Sequence, residues 1–141
     1  MSSVLPPPTY DVLSDSKNKA QTSWLLFFNN LFIGDTGTVF TPSFTNLGGS
    51  TTSVTGVHFR LSQRLRYFRI VVTPSGSTTS TAGSTYCTFP LDILVDGAVQ
   101  AVGGALGVGV GIAQASTNRI YTPDWSAVTV PVTITGTIEA R

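Results

Sequence analysis

The sequence predicts an all-β fold: a jelly-roll-like β-sandwich knob, residues 35–141, preceded by an extended N-terminal arm and one short helix. From residue 38 onward, short apolar runs are separated by Gly, Pro, Ser and Asn about every 8–12 residues, which is typical of sandwiches and barrels. Ser and Thr supply about a quarter of the 141 residues, and hydroxyl and β-branched side chains suit pleated surfaces. These two observations place most of the chain in strands.

Composition and charge exclude several classes of function. Charged residues make up only 11% of the chain and the net charge is +1, so no long-range field gathers nucleic acid or anionic lipid. We therefore expect no nucleic-acid partner and no membrane insertion, and no apolar run reaches the roughly 18 residues of a membrane span. Low charge with abundant hydroxyls favours a protein whose surface is largely covered within an assembly.

The cysteine content and the N-terminus indicate where the chain is made. Cys87 is the single cysteine, which excludes an intrachain disulfide and a zinc cluster of thiolates, and we expect no metal and no cofactor. A free thiol fits synthesis in a reducing compartment. The N-terminus lacks a basic segment followed by an apolar run, so we expect no signal peptide.

Residues 1–21 form the predicted arm. Its prolines favour polyproline II, whose unpaired backbone is open to docking. Its apolar side chains are anchors that a simple linker would not need. The candidate anchoring residues are Val4, Leu5, Pro6, Pro7, Pro8 and Tyr10. A disordered tail is the alternative.

Residues 22–34 predict one short amphipathic helix. Thr22 or Ser23 can cap its start, and Gly34 can end it in the left-handed conformation. A helix this short is marginal in water unless its apolar face is covered. Its large side chains are candidates for a subunit interface: Trp24, Leu25, Phe28, Leu31 and Phe32. Burial against the sheet of the same chain is the alternative.

About eight strands are predicted, and the best defined are two that form a hairpin. Residues 54–61 and 65–73 are predicted to pair about a turn at residues 62–63. One face of the second strand is apolar: Phe68, Ile70 and Val72. The run 39–44 contains Pro42, which favours an edge strand or a bend. The other predicted strands are residues 85–91, 93–101, 107–114, 119–121 and 128–139.

Alternating glycines in residues 107–112 indicate a strand with one bare face. Gly107, Gly109 and Gly111 fall on one side of it, and Val108, Val110 and Ile112 fall on the other. Glycine costs conformational entropy in a strand, so the bare face needs a reason. Either an aromatic such as Trp125 or Tyr121 packs closely over it, or a second subunit approaches there. The three glycines are therefore candidate interface residues.

The polar segment 74–84 is predicted to be an exposed loop. Loops on a rigid sandwich often carry recognition. This loop is therefore a candidate recognition (receptor) site, through Ser75, Ser77, Thr78, Thr79 and Ser80.

The chemistry-bearing residues do not predict an enzyme. His58 is interpreted as a surface or interface residue, because no partners for a triad or metal site lie near it in sequence. The string Asp35-Thr36-Gly37 occurs in dimeric aspartic proteases, but Gly34 and Thr38 do not match the usual flanks, so a protease is a remote alternative. The basic cluster is expected to form ion pairs, with nucleic-acid binding as the alternative: Arg60, Arg64, Arg66 and Arg69.

Three strings resemble the knob domains of tailed-bacteriophage fibres and tail needles: TVFTPSF at 38–44, VHFRLSQRLRYFRI at 57–70 and VTITGTIEA at 132–140. STAGSTY at 80–86 and Phe89-Pro90 fit the same order, and the likeness covers residues 22–141. Phe40 stands where this family often has Trp, and the hairpin is richer in arginine. The resemblance implies a homotrimer with a β-sandwich knob and no catalysis.

The function predicted from these observations is structural. We expect a virion protein, assembled in the host cytoplasm, that serves as a short trimeric head fibre, a capsid decoration or a tail-attached protein. Its arm would dock on the capsid, portal or tail. The alternative is a receptor-binding module that contacts a host surface molecule.

Overall fold

A computed structural model describes residues 36–103 and 106–141, leaving aside the side chains of residues 106–108. The predicted arm at 1–21, the predicted helix at 22–34 and Asp35 lie outside the described residues. Gly37–Arg141 forms a compact unit of the chain. The described part is all β, as predicted, and it contains no helix with the length and apolar content to cross a membrane.

The described residues form ten strands in one antiparallel sheet. The strands are β1 (Thr38–Phe40), β2 (Phe44–Thr45), β3 (Gly48–Arg60), β4 (Leu65–Ser80), β5 (Tyr86–Thr88), β6 (Gly97–Gly103), β7 (Leu106–Gln114), β8 (Arg119–Tyr121), β9 (Trp125–Val128) and β10 (Val132–Glu139). Their order is β1-β3-β4-β10-β6-β7-β8-β5-β2, and β9 pairs with β4 off this path. Pro42 lies between β1 and β2, and Pro131 lies between β9 and β10. Both positions suit proline, because it has no N–H group to donate to a strand ladder.

The sheet curls until its two ends approach each other. β1 and β2 are the first and last strands of the path, yet only residues 41–43 separate them in the chain. An extended chain of that length spans about 14 Å at most. The bend or edge predicted at Pro42 is therefore confirmed, because this buried proline joins the two edges of the sheet.

The predicted hairpin is confirmed, and its strands are longer than predicted. β3 and β4 pair from Arg60 opposite Arg66 to Gly48 opposite Thr79, with bulges between Gly49 and Ser53. The loop prediction for residues 74–80 is wrong, because this segment continues β4. Its hydroxyl side chains can pair and bond within a ladder, so polarity alone did not indicate a loop.

The core lies inside the curl. Phe68, Ile70 and Val72 are fully buried, which confirms the face predicted for β4. On β10, Val132 lies opposite Val72 and Ile134 lies opposite Ile70, and both β10 side chains are also buried. Alternation then places the intervening side chains on the outer face of the sheet.

His58 is buried within the chain, so a surface position, one of the two alternatives in its interpretation, is wrong. It is 7% exposed, and its ring lies 6.0 Å from Phe40 and 5.7 Å from Phe89 between ring centroids. Gly56, two residues earlier on the same face, leaves room for the Phe40 ring. The ring of Phe40, on the edge strand β1, therefore covers the face of β3 that carries Gly56 and His58. The local sequence does not indicate that this face is the buried one.

Candidate functional site

The inner face of β7 is covered by the same chain. A Cβ on Gly109 would lie 2.7 Å from Cβ of Pro123, and one on Gly111 would collide with the carbonyl oxygen of Tyr121. The close approach predicted for a second subunit is therefore made by residues 121–123 at these two positions. The covering groups are a proline ring and backbone, whereas an aromatic ring such as that of Trp125 or Tyr121 was one of the two predicted alternatives. Gly107 lies on the same strand, in the stretch whose side chains are not described.

The outer face of β7 exposes aliphatic side chains instead. Val110 is 64% exposed and Ile112 is 55% exposed. Ile112 lies opposite Tyr121 of β8 in the ladder, so the two side chains share this face. Together with Gln114 they line a groove of about 360 Å³ beside the turn at residues 82–83, which we call the tyrosine groove.

A cation and two aromatic rings adjoin the tyrosine groove. The guanidinium of Arg119 lies 4.1 Å from the centre of the Tyr86 ring, and its Nη1 donates to the Tyr121 hydroxyl at 3.3 Å. That hydrogen bond raises the pKa of Arg119 above its ordinary value. The rings of Tyr86 and Tyr121 lie 5.2 Å apart. These contacts orient Tyr121 at the rim of the groove and place the Arg119 guanidinium beside it.

A second apolar surface lies on β1, β3 and β4. Val39, Val57, Val71 and Arg69 line a shallow concavity of about 200 Å³, which we call the valine patch. Val39 is the most exposed large hydrophobic side chain of the described residues, at 78% exposure. Arg69 is exposed and lies between Val57 and Thr135 in the ladders, so neither of these cross-strand neighbours carries a charge.

The candidate receptor residues divide into two environments. Thr78 and Ser80 are buried: Trp125 Nε1 donates to Thr78 Oγ1 at 3.2 Å, and Ser80 Oγ donates to the Pro123 carbonyl at 2.8 Å. These two hydroxyls hold β4 to β9 and to the segment before it, so they are not available to a receptor. Ser75 and Thr79 are exposed, and Ser77 is half-buried.

Two arginines of the basic cluster hydrogen-bond to the turn between β3 and β4. Arg60 Nε and Arg66 Nη1 both donate to the carbonyl of Ser62, at 3.3 and 3.4 Å. Arg66 is 5% exposed while Arg69 is exposed, so the two side chains occupy opposite faces of β4. The ion pairs expected of this cluster stay a prediction.

The described residues offer little reactive chemistry. Burial raises the pKa of the Cys87 thiol to about 12, so the thiol is protonated at neutral pH and is a poor nucleophile or ligand. Among the residues described, no three His, Cys, Asp or Glu side chains group as a metal site would need. Asp35 of the protease-like string lies outside them.

The sequence did not predict the valine patch. Of the tyrosine groove, it predicted only the apolar face that carries Val110 and Ile112. The alternation of residues 107–112 indicated an apolar face, but not that this face points outward. The valine patch joins residues far apart in sequence, so no local pattern could identify it. No protein-family model, curated protein or solved structure matches the chain significantly.

Proposed function

We propose that this chain is a structural component of a bacteriophage particle: a short trimeric fibre, a capsid decoration or a tail-attached protein. The observation that carries the proposal is the exposed aliphatic surface on two adjacent strands. Val102 of β6 is 45% exposed, on the same face as Val110 and Ile112. Such a surface is unfavourable in water and typical of an interaction site, and further copies of the chain would cover it.

The virion assignment is supported by the family resemblance of the three strings. Two of these strings also contribute to the core of the fold, where Phe68, Ile70 and Ile134 are fully buried. The proposal includes a helix at residues 22–34 as a clamp between subunits. It also includes the arm at 1–21 as the tether to the particle.

Jelly-roll-like layering belongs to the same proposal. A curled sheet whose ends meet has two facing walls around one core, here with Phe68 and Ile134 on one wall and Cys87 and Ile120 on the other. A sandwich has the same facing walls but interrupts the hydrogen bonding at its corners. The bulges between Gly49 and Ser53 in β3 mark one place where the ladder is already irregular.

Light scattering of the purified full chain tests the assembly. We expect about three times the chain mass of 14.9 kDa. A mass equal to one chain at every concentration would contradict the proposal.

Deletion of residues 2–20 tests the tether. We expect the shortened chain to keep its oligomeric mass and its thermal midpoint while failing to join the particle. Electron microscopy of particles with a tagged chain then distinguishes head from tail. An unfolded deletion variant, or normal incorporation, would contradict a separate tethering arm.

A second candidate function is binding to a host surface molecule, favoured by an exposed polar ribbon. Residues 50–53 are exposed where β3 bulges, and the hydroxyl of Ser50 lies 2.6 Å from that of Ser75 on β4. Soluble protein should then adsorb to host cells and compete with infection, and Ser75→Trp should reduce both. Adsorption that Ser75→Trp leaves unchanged would exclude this ribbon.

A further inference from the structure

We infer that the tyrosine groove binds a small amphipathic monocarboxylate. The carboxylate of this ligand would lie between Arg119 and Gln114. Its apolar body would lie along the aliphatic wall that Val110 and Ile112 form. The inference goes beyond the proposed structural role and does not depend on it, because all of these groups belong to one chain.

Arg119 lies at the polar end of the groove. It is opposite Gln114 in the ladder of β7 and β8, and side chains opposite each other in such a ladder have Cβ atoms about 5 Å apart. Ile120 is fully buried, so alternation places Arg119 and Tyr121 on the outer face. The guanidinium and the carboxamide therefore lie side by side where Gln114 lines the groove.

The positive charge of Arg119 has uncharged neighbours. The guanidinium lies 4.1 Å from the centre of the Tyr86 ring, and it donates to the hydroxyl of Tyr121 at 3.3 Å. Its cross-strand neighbours, Gln114 and Thr88, also carry no charge. A ligand with one negative charge would therefore complement the electrostatics of this end of the groove.

Contacts within the chain hold both donor groups in place. The ring of Tyr86 and the hydroxyl of Tyr121 fix the guanidinium of Arg119, whose Nε and Nη2 offer further N–H groups that suit the two oxygens of a carboxylate. The hydroxyl of Thr117 donates to Oε1 of Gln114 at 2.9 Å, so the amide nitrogen is the group that can donate to a ligand. Because these side chains are already ordered, binding costs less conformational entropy.

The rest of the groove favours an apolar body of limited size. Its volume of about 360 Å³ lies at the small end of the range of small-molecule sites, about 300–1,000 Å³. Val110 is 64% exposed and Ile112 is 55% exposed, so a ligand that covers them removes aliphatic surface from water. A fatty acid of medium length has both required parts, one carboxylate and one apolar chain.

An NMR titration with octanoate at neutral pH tests the site, using the full chain with Val102→Asp. This substitution changes an exposed valine of the proposed assembly surface and none of the residues that line the groove, so the site stays accessible. We expect saturable amide shifts centred on β7 and β8. Octanamide keeps the apolar chain but lacks the charge, so it should bind at least about tenfold more weakly.

Three further substitutions test the assignment of the carboxylate. Arg119→Gln should weaken octanoate binding at least about tenfold and leave octanamide binding unchanged. Gln114→Glu should also weaken octanoate binding, because it places a carboxylate opposite Arg119, where the ligand's own would lie. Arg69→Gln is the matched control and should bind octanoate as before. Arg69 is also a cation on the outer face, and its cross-strand neighbours Val57 and Thr135 carry no charge.

Circular dichroism should show that all of these variants are folded, and Arg119→Met replaces Arg119→Gln if the latter is not. The inference fails if octanoate causes no saturable shifts, if octanamide binds equally well, or if Arg119→Gln and Arg69→Gln have the same affinity. Shifts that only Arg69→Gln removes would place the anion at the valine patch and would also contradict it. The molar mass of the wild type is measured separately, and it tests the proposed function alone.

Discussion

The two faces of β7 differ in what covers them. On the inner face, Gly109 and Gly111 lie directly against residues 121–123 of the same chain. On the outer face, Val110 and Ile112 are more than half exposed. The glycines therefore serve the fold, by letting one segment pass close to a strand. The aliphatic side chains contribute little to the fold and are available for a partner.

The same contrast divides the hydroxyl-rich half of β4. Thr78 and Ser80 are buried and hydrogen-bonded, whereas Ser75 and Gly76 are exposed. Similar residue types thus make buried hydrogen bonds at one end of a short segment and a solvent-exposed one, between Ser75 and Ser50, at the other. Substitutions matched across each contrast should separate the two kinds of position.

The largest difference is expected between the inner and outer faces of the sheet. Phe68→Ala should lower the free energy of unfolding by about 3–5 kcal/mol, because it leaves a cavity in the packed core. Val110→Ala should change it by less than about 0.5 kcal/mol. Urea denaturation in the Ile112→Asp background measures both without a contribution from assembly. Equal losses would show that the outer face is also part of the core.

The next largest difference in stability is expected between alanine substitutions at Gly111 and at Gly76. Gly111→Ala should cost about 1–3 kcal/mol, because the new methyl group meets the backbone of Tyr121, which cannot rotate away. Gly76→Ala is the control, since nothing lies within 4 Å of its Cβ position. It should be neutral or slightly stabilising. If both variants behave alike in urea denaturation, residues 121–123 do not pack on β7 as described.

The loss of stability on substitution by alanine should differ by a smaller amount between Ser80 and Ser75. Ser80→Ala should cost about 1–2 kcal/mol, because it leaves the buried Thr122 hydroxyl and the Pro123 carbonyl each without one hydrogen bond. Ser75→Ala removes an exposed hydroxyl whose hydrogen bond to Ser50 can be replaced by water, so the thermal midpoint of this variant should barely move. Thermal unfolding followed by circular dichroism compares the pair. A neutral Ser80→Ala would return this position to the list of receptor candidates.

The smallest expected effect is a pH dependence of the free energy of unfolding that is due to Cys87. Burial raises the pKa of Cys87 to about 12, so the folded chain keeps a proton that the unfolded chain loses above about pH 8.5. The resulting stability is fully present below pH 8.5 and is lost as pH rises toward 12. Relative to Cys87→Ala, the wild type should lose about 1 kcal/mol by pH 9.5. Parallel curves for the two proteins in urea denaturation would show that the thiol is not buried.

Local pattern predicted those parts of the fold that depend on neighbouring residues. Alternation identified the buried face of Phe68, Ile70 and Val72, and the turn residues located the hairpin. The curl of the sheet could not be predicted this way. It depends on β1 pairing with β3 and β2 with β5, and no sequence signal relates those partners.

The candidate site was only partly predictable for the same reason. A bare glycine face indicates close packing, but the covering segment around Pro123 becomes known only from the fold. The burial of His58 was not predictable from its neighbours, because Val57 and Phe59, on the other face of β3, are the more apolar side chains. The fold instead buries the face shared by Gly56 and His58 beneath Phe40.

The most direct test of the central claim is the molar mass of the Ile112→Asp variant beside the wild type, measured by light scattering. If the outer face of β7 is an assembly surface, the wild type should have about three times the 14.9 kDa of one chain. The variant should have the mass of one chain, with an unchanged circular dichroism spectrum. A folded variant with the same mass as the wild type would contradict the claim.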